Sequence, residues 1–245
     1  MRAATPQPER GFTIMELMIA TAIFLVICGA MFGLLQLSQQ KYSSETQLSG
    51  AFQETRLAID QIVRDFNVSG YPSQSIFSKL PSDTTQYAAG PVAWSPNYPG
   101  TPCSVGATVG AACTTPGGFD LILETDFGNG VSWIRYQLNG TTLFRSVVPK
   151  TAGDDPATKT SDPAVMVPFL TNVMNSVPAQ PIFKFTCDTP AGPQPCSTEK
   201  NYGVANNIRD VDITLIVMTR QRDIQTQQLK LVELEGRGHR VNPSN

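Results

Sequence analysis

The sequence predicts an α+β fold in which one long N-terminal helix packs against an antiparallel β-sheet. Two patterns support this prediction. Apolar residues recur at helical spacing through residues 12–66, and the chain beyond residue 118 contains short alternating runs separated by turn residues such as Asn139-Gly140. A helix and a sheet that each have one apolar face can bury both faces against each other, which is the α+β arrangement.

The predicted helix begins with an apolar stretch that is long enough to cross a membrane. Residues 12–35 are largely apolar and include one charged side chain, Glu16. About 20 apolar helical residues span a hydrocarbon core of ~30 Å. Arg2 and Arg10 precede this stretch, so the positive-inside tendency keeps residues 1–11 in the cytoplasm. We therefore expect a single-pass membrane protein whose head lies on the opposite side.

Glu16 is the residue of this stretch that most needs an explanation. A carboxylate inside a membrane-spanning helix costs roughly 2.5–3.5 kcal/mol, so it indicates a function and a partner. A cut between Gly11 and Phe12 would expose an α-ammonium four residues before Glu16, about one helical turn away, and a neighbouring copy could supply the same amine. The alternative is a plain signal anchor in which Glu16 lies near the lipid headgroups.

Residues 11–17 read Gly-Phe-Thr-Ile-Met-Glu-Leu, follow a short basic leader and open the apolar helix. This segment resembles the cleavage and methylation site of type IV prepilins and pseudopilins. The resemblance implies that a prepilin peptidase cuts after Gly11, that Phe12 is N-methylated, and that Glu16 aids docking into a helical filament. It also implies a pilin-like fold, an inner-membrane anchor with a periplasmic head, and a later place in a pilus or pseudopilus. The implied partners are the prepilin peptidase/N-methyltransferase and other major and minor pilins, which contact the N-terminal helix.

Beyond the membrane the helix is predicted to continue over residues 36–66 as an amphipathic segment packed on the head. Its apolar residues recur at three- and four-residue steps or their sums: Leu48, Phe52, Ile59, Ile62, Val63 and Phe66. The helix is expected to end within residues 67–70, because Gly70 and then Pro72 interrupt it. In the membrane half, Gly29 and Gly33 form a Gly-xxx-Gly spacing that allows close helix packing, or that arises by chance in an apolar helix.

Residues 67–118 are predicted to be irregular, because the segment from residue 70 onward is rich in Pro and Gly and carries two charged residues, Lys79 and Asp83. The antiparallel sheet of the head is predicted within residues 119–245. The predicted strands are 119–127, 131–138, 141–148, 165–173, 182–188, 210–219 and 229–235. After the last strand the chain is expected to end in Gly236-Arg237-Gly238-His239 and a polar tail.

Four cysteines fall in this head as two pairs, Cys103 with Cys113 and Cys187 with Cys196. Each pair brackets a short loop, and short loops in an oxidising compartment favour disulfides between neighbours, although four cysteines allow three pairings. The alternative is a zinc site. The spacings are wider than those of zinc knuckles and the single histidine, His239, is expected near a flexible terminus, so we predict neither a metal nor a cofactor.

The sequence indicates a structural protein and not an enzyme. It contains one histidine, no serine in a nucleophile elbow and no metal-ligand cluster, and its Asp154, Asp155 and Asp162 match no calcium loop. The formal net charge is −2 without Lys/Arg clusters, which argues against nucleic acid as a partner.

The resemblance implies a minor type IV pilin of the PilW kind that takes part in the initiation of pilus assembly or lies at the pilus tip. Two alternatives remain at this point. One is a minor pseudopilin of the J type in a type II secretion system, and the other, outside the family, is a membrane-anchored adhesin or enzyme.

Overall fold

The structure is a computed structural model that describes residues 11–69, 92, 118–126, 130–151, 159–189, 192–195, 208–223 and 226–241. The fold is α+β, as the sequence predicts, with one long helix and two antiparallel sheets. The described elements are α1 (Ile14–Asn67), β1 (Asp120–Asp126), β2 (Val131–Asn139), β3 (Thr142–Pro149), β4 (Val167–Leu170), β5 (Phe183–Thr189), β6 (Gly192–Pro195), β7 (Ile208–Met218) and β8 (Leu231–His239).

Helix α1 is a single element of 54 residues, about 80 Å long. It begins two residues later than predicted because Thr13, in extended conformation, is its N-cap. At the other end the backbone N–H of Val68 bonds to the carbonyls of Arg64 and Phe66 and closes the last turn. Among the described residues, α1 is the one helix long and apolar enough to cross a membrane, and its most apolar window is fully exposed in the monomer.

The strands form two four-stranded sheets where the sequence pattern predicts one. The first sheet has the order β1-β2-β3-β4, and the second has the order β6-β5-β7-β8. Sequence patterns did not predict β6, because two of its four residues are Pro193 and Pro195. The strand lies at an edge of the second sheet, where the N–H that proline lacks is not needed. The face predicted for β7 is confirmed by its buried residues Val211, Ile213, Leu215 and Val217.

The hairpin predicted at Asn139-Gly140 is present, but its turn lies one residue further on. Asn139 pairs with Thr142, so Gly140 and Thr141 form the two-residue loop. Gly140 has a φ of +60°, the sign that a type II′ turn requires at its first central position. The turn therefore needs a positive φ at Gly140 only, whereas the sequence suggested a turn with positive φ at both Asn139 and Gly140.

The C-terminal half of α1 packs into the core, mainly against β8 and β7 of the second sheet and less against β4 and β1 of the first. Its buried residues are Thr55, Ala58, Ile59, Ile62, Asp65 and Phe66. Three members of the predicted apolar stripe are thus confirmed as core residues. Phe52 is an exception, since 43% of it remains exposed. Phe52 lies one turn before the buried part of the helix, which begins with the small side chains of Thr55 and Ala58.

Strand β8 extends beyond its predicted end at residue 235 and includes residues 236–239, because α1 packs directly on its glycines. A Cβ added to Gly236 would lie 2.2 Å from Cγ2 of Ile59, and one added to Gly238 would lie 2.9 Å from Cδ1 of Phe66. The helix thus approaches the strand more closely than any side chain on these two residues would allow. The two glycines are the contact surface of β8 and not part of a tail.

On the membrane side, the connection between β7 and β8 contacts α1 through polar groups. Ser44 donates a hydrogen bond to Asp223 at 2.8 Å and accepts one from Lys230 at 2.9 Å. Further along the helix, Arg220 forms an exposed ion pair with Glu54 at 3.2 Å. These contacts fasten the head to α1 about 9 residues after the end of the predicted membrane span at residue 35, or roughly 14 Å along the helix.

Candidate processing and assembly site

The predicted processing residues Gly11 and Phe12 lie immediately before α1 and are exposed. Phe12 is 84% exposed, and the backbone from Gly11 to Thr13 is not helical. The bond after Gly11 therefore lies in an open, non-helical segment, which is the conformation that a peptidase needs in its substrate. Phe12 was expected to be the first helical residue, and the cap at Thr13 instead leaves it outside the helix.

Thr13 and Glu16 form a capping box at the start of α1. The backbone N–H of Glu16 donates to Oγ1 of Thr13 at 3.3 Å, and the backbone N–H of Thr13 donates to Oε2 of Glu16 at 3.0 Å. The Thr13 hydroxyl donates to the same carboxylate oxygen at 3.0 Å. The sequence contains the signal for this arrangement, Thr-x-x-Glu before an apolar run.

The capping box changes the interpretation of the Glu16 charge. Two donors and the positive end of the helix dipole already stabilise the carboxylate within its own chain. Both donors bind Oε2, and within the described part of the chain no group donates to Oε1. One carboxylate oxygen therefore orders the helix start, and the other is available to a donor from outside. The predicted ion pair with the Phe12 amine stays a prediction.

The predicted packing pair Gly29 and Gly33 lies on an open part of α1. A Cβ at either position would meet no atom within 4 Å. Close packing against another helix at this spacing stays a prediction, because the described chain places no element of its own there. The Thr21 hydroxyl in the same half donates to the carbonyls of Leu17 and Met18, which satisfies it without an external partner.

A buried polar cluster fastens the end of α1 to the first sheet. Asp65, whose side chain is 1% exposed, accepts hydrogen bonds from the Tyr136 hydroxyl at 2.6 Å and from Nη2 of Arg145 at 2.8 Å. Gln61 donates to its other oxygen at 2.7 Å. Burial, together with the negative charge of Asp65, raises the pKa of Tyr136 far above its usual range, so the hydroxyl remains a donor. Sequence patterns did not single out this cluster, because its members are far apart in the chain.

His239, which was predicted near a flexible terminus, is the last residue of β8 and lies beside Asp210. Its Nδ1 contacts Oδ1 of Asp210, and Nη2 of Arg237 donates to Oδ2 at 2.6 Å. Burial would raise the pKa of Asp210, but the hydrogen bonds from His239 and Arg237 outweigh it and hold the pKa below its ordinary value. Arg237 forms an ion pair with Asp210 at 2.6 Å, and the His239 ring shares the same carboxylate, so the three side chains connect β7 and β8.

The predicted metal and disulfide residues are only partly described. Over the described ranges, no three His, Cys, Asp or Glu side chains group in a way that could hold a metal ion. Asp162 caps a turn by accepting the N–H of Ala164 at 2.9 Å. Cys187 is buried and disulfide-bonded. Its predicted partner Cys196, the pair Cys103 and Cys113, and the acidic residues Asp154 and Asp155 lie outside the described residues.

Comparison with known proteins gives one match, at the N-terminus. Residues 7–32 match the family described as the prokaryotic N-terminal methylation motif. The matched segment contains Gly11, Phe12 and Glu16 and extends into the apolar half of α1. No curated protein and no solved structure matches the chain. The motif is consistent with a type IV prepilin-like family, which is structural and not enzymatic, and implies processing by a prepilin peptidase, pilin-type assembly and membrane anchoring.

Proposed function

We propose that this protein is a minor type IV pilin that is inserted in the inner membrane, cleaved after Gly11 and N-methylated on Phe12. It then enters a pilus through α1 and takes part in the initiation of assembly or lies at the tip. The observation that carries the proposal is the position of Glu16, the one carboxylate of the apolar stretch, within a segment that matches the methylation motif.

The geometry of the capping box supports a role for Glu16 in docking. Oε2 is held by Thr13, so the carboxylate is fixed near the start of the helix and does not depend on a neighbour for stability. Oε1 can then accept the α-ammonium of a processed Phe12, its own or that of an adjacent protomer. Such a pair forms only after cleavage, because the uncut chain has an amide nitrogen at that position.

The size of the head supports a minor rather than a major role. The chain has 245 residues and carries a long Pro- and Gly-rich segment between α1 and the first sheet. A head of this bulk suits a position that is not repeated along the shaft, such as the tip. The contacts that hold α1 to the head leave the N-terminal half of the helix open for packing among other pilin helices.

The processing step is tested by intact-mass and N-terminal analysis of full-length protein co-produced with a prepilin peptidase. The expected first residue is N-methyl-Phe12, and a retained Met1 would refute the proposal. Glu16→Gln removes the charge with little change in shape, so the variant should be inserted and cleaved but should assemble poorly. Glu45→Gln, a carboxylate of the same helix outside the apolar stretch, is the matched control and should assemble normally.

The cellular role is tested by deleting the gene in its host. Loss of surface pili with normal protein secretion supports the pilus role. Loss of secretion with normal piliation would instead assign the protein to a type II secretion pseudopilus. Normal piliation and normal secretion in the deletion strain, together with an uncut N-terminus, would leave a membrane-anchored protein outside this family.

A further inference from the structure

The head contains a cleft of about 500 Å³ between α1 and the edge of the first sheet. One charged side chain, Arg145, lines it beside the amide of Gln61. The other described lining residues are apolar: Val147, Val165, Val167, Pro168 and Phe169. This cleft is remote in sequence from the N-terminal segment and plays no part in the function proposed above.

Arg145 presents an unused end of its guanidinium at this cleft. Its Nε and Nη2 donate to Oδ2 of Asp65 at 3.3 and 2.8 Å, and Nε also donates to the Tyr136 hydroxyl at 3.0 Å. In the described chain, Nη1 has no hydrogen-bond acceptor. Since a guanidinium carries five donors in a planar fork, the end formed by Nη1 and the second Nη2 hydrogen can still bind a carboxylate through two parallel hydrogen bonds.

Asp65 and Tyr136 hold this fork in place. The Arg145 guanidinium lies 5.7 Å from the centre of the Tyr136 ring, and its side chain is 25% exposed, whereas Asp65 behind it is buried. A side chain fixed from behind loses little rotamer freedom when it binds a ligand in front. Gln61 is fixed in the same way, because its Nε2 donates to Asp65 and its carbonyl oxygen remains available to an N–H donor.

Apolar residues that line the cleft beside Arg145 are exposed to solvent. Val167 is 61% exposed and Val147 is 41% exposed, and both lie beside the guanidinium on the open margin of the first sheet. Phe169 forms the floor by packing edge-on against Tyr136, with 5.4 Å between ring centres. Strand β4 has only four residues and includes Pro168, which lacks an N–H, so simple addition of a strand to this edge is disfavoured.

We propose that the cleft beside Arg145 binds an extended segment of a partner protein that presents an aspartate or glutamate next to aliphatic side chains. The carboxylate would accept two hydrogen bonds from the free end of Arg145, and the aliphatic side chains would cover Val147 and Val167. The carbonyl of Gln61 would accept a backbone N–H of the segment. Asp65 already balances the charge of Arg145, so it is the two free donors at the end of the guanidinium, set in an apolar wall, that favour an acidic, apolar segment over a basic or purely polar one.

The test uses the full-length protein in lipid nanodiscs and isothermal titration calorimetry. The probes are the synthetic peptide Ac-Gly-Val-Glu-Leu-Gly-NH2 and its twin with Gln in place of Glu. We expect the acidic peptide to bind roughly ten-fold more tightly, because only its carboxylate forms charge-assisted hydrogen bonds. Val167→Asp should weaken binding of the acidic peptide by roughly ten-fold or more through lost apolar cover and charge repulsion. Val177→Asp is the matched control, since Val177 is 70% exposed and does not line the cleft.

The Arg145→Lys variant provides a second test. Lysine keeps the positive charge but lacks the planar fork of donors, so it cannot hydrogen-bond to Asp65 and to a ligand carboxylate at the same time. This variant should bind both peptides alike, and if it fails to fold, the pair of valine variants decides the outcome. Equal binding of the two peptides by the native protein, binding of neither, or equal effects of Val167→Asp and Val177→Asp would overturn the proposal. Self-association that Val167→Asp abolishes, in a protein that binds neither peptide, would assign the cleft to a second copy of the chain instead.

Discussion

Replacing Gly236 by alanine tests how closely α1 packs on β8. The new Cβ would lie 2.2 Å from Cγ2 of Ile59 and 3.7 Å from Cγ2 of Val63. Carbon atoms pack at ~3.5–4.0 Å, so the first contact is far too short and Ile59 or the whole helix must move. Ile59 is only 6% exposed and lies in the core, where little free space exists for such a movement.

We expect the substitution to destabilise the head by about 1–3 kcal/mol, the usual cost of an extra carbon in a packed core. Alanine also restricts the unfolded chain, which offsets about 0.4–1 kcal/mol of that cost. Backbone strain adds nothing, because Gly236 is not one of the described glycines with positive φ. For a chain of this size, each kcal/mol lowers the melting temperature by about 2–4 °C.

The assay is thermal unfolding of the full-length protein in detergent, followed by near-UV circular dichroism so that the tertiary packing of the head is observed. Gly50→Ala is the matched control. Gly50 lies in α1 with no atom within 4 Å of an added Cβ, so alanine there should raise stability by about 0.5–1 kcal/mol.

A double-mutant cycle with Ile59→Ala then identifies the contact. Ile59→Ala removes the Cγ2 atom that the new methyl group would strike, so Gly236→Ala should cost little in that background. The coupling energy should be about 1–3 kcal/mol. Additive effects of the two substitutions, or a Gly236→Ala variant as stable as the native protein, would refute the close packing of α1 on β8.

Three further predictions follow from the head. Asp65→Asn should destabilise it by about 3–5 kcal/mol, measured by the same melting experiment, because it leaves the partly buried Arg145 guanidinium without its counter-ion; unchanged stability would contradict the role of the cluster. The lowered pKa of Asp210 means that its contribution to stability is complete above its ordinary pKa of 3.8 and is lost as the pH falls through the lower folded value. Acid titration of the native protein and of Asp210→Asn should therefore converge at low pH, and parallel curves would exclude this contribution. Peptide mapping without reduction should join Cys187 to Cys196, and any other partner of Cys187 would show that the local pairing is wrong.

The elements that local sequence patterns predicted well are those governed by local physics. Helix α1 could be predicted because its apolar spacing lies within the segment and its end signals lie within a few residues of it, and the hairpin near Asn139-Gly140 follows from one turn. The methylation segment could be identified because its residues are adjacent. The capping box is local in the same way, since Thr13 and Glu16 are three residues apart in a Thr-x-x-Glu pattern.

The features that were missed depend on contacts between distant segments. Nothing local separates the strands into two sheets, and the prolines of β6 disguise an edge strand whose position is decided by its neighbours. Gly236 and Gly238 have low strand propensity, so they were placed after the last predicted strand, and only the packing of α1 against them explains why β8 includes them. The cluster of Asp65, Tyr136 and Arg145 spans 80 residues of sequence, so only the folded head brings its charges together.

The unbroken course of α1 has a mechanical consequence. The head is clamped to the helix from Ser44 onward, and among the described residues the helix has no interruption between that clamp and its start at Ile14. Because the described helix is continuous, a tilt of 5° about its N-terminal end would carry its other end sideways by roughly 7 Å over a length of about 80 Å. Small changes in the tilt of the membrane-spanning half should thus appear as displacements of several ångströms at the head.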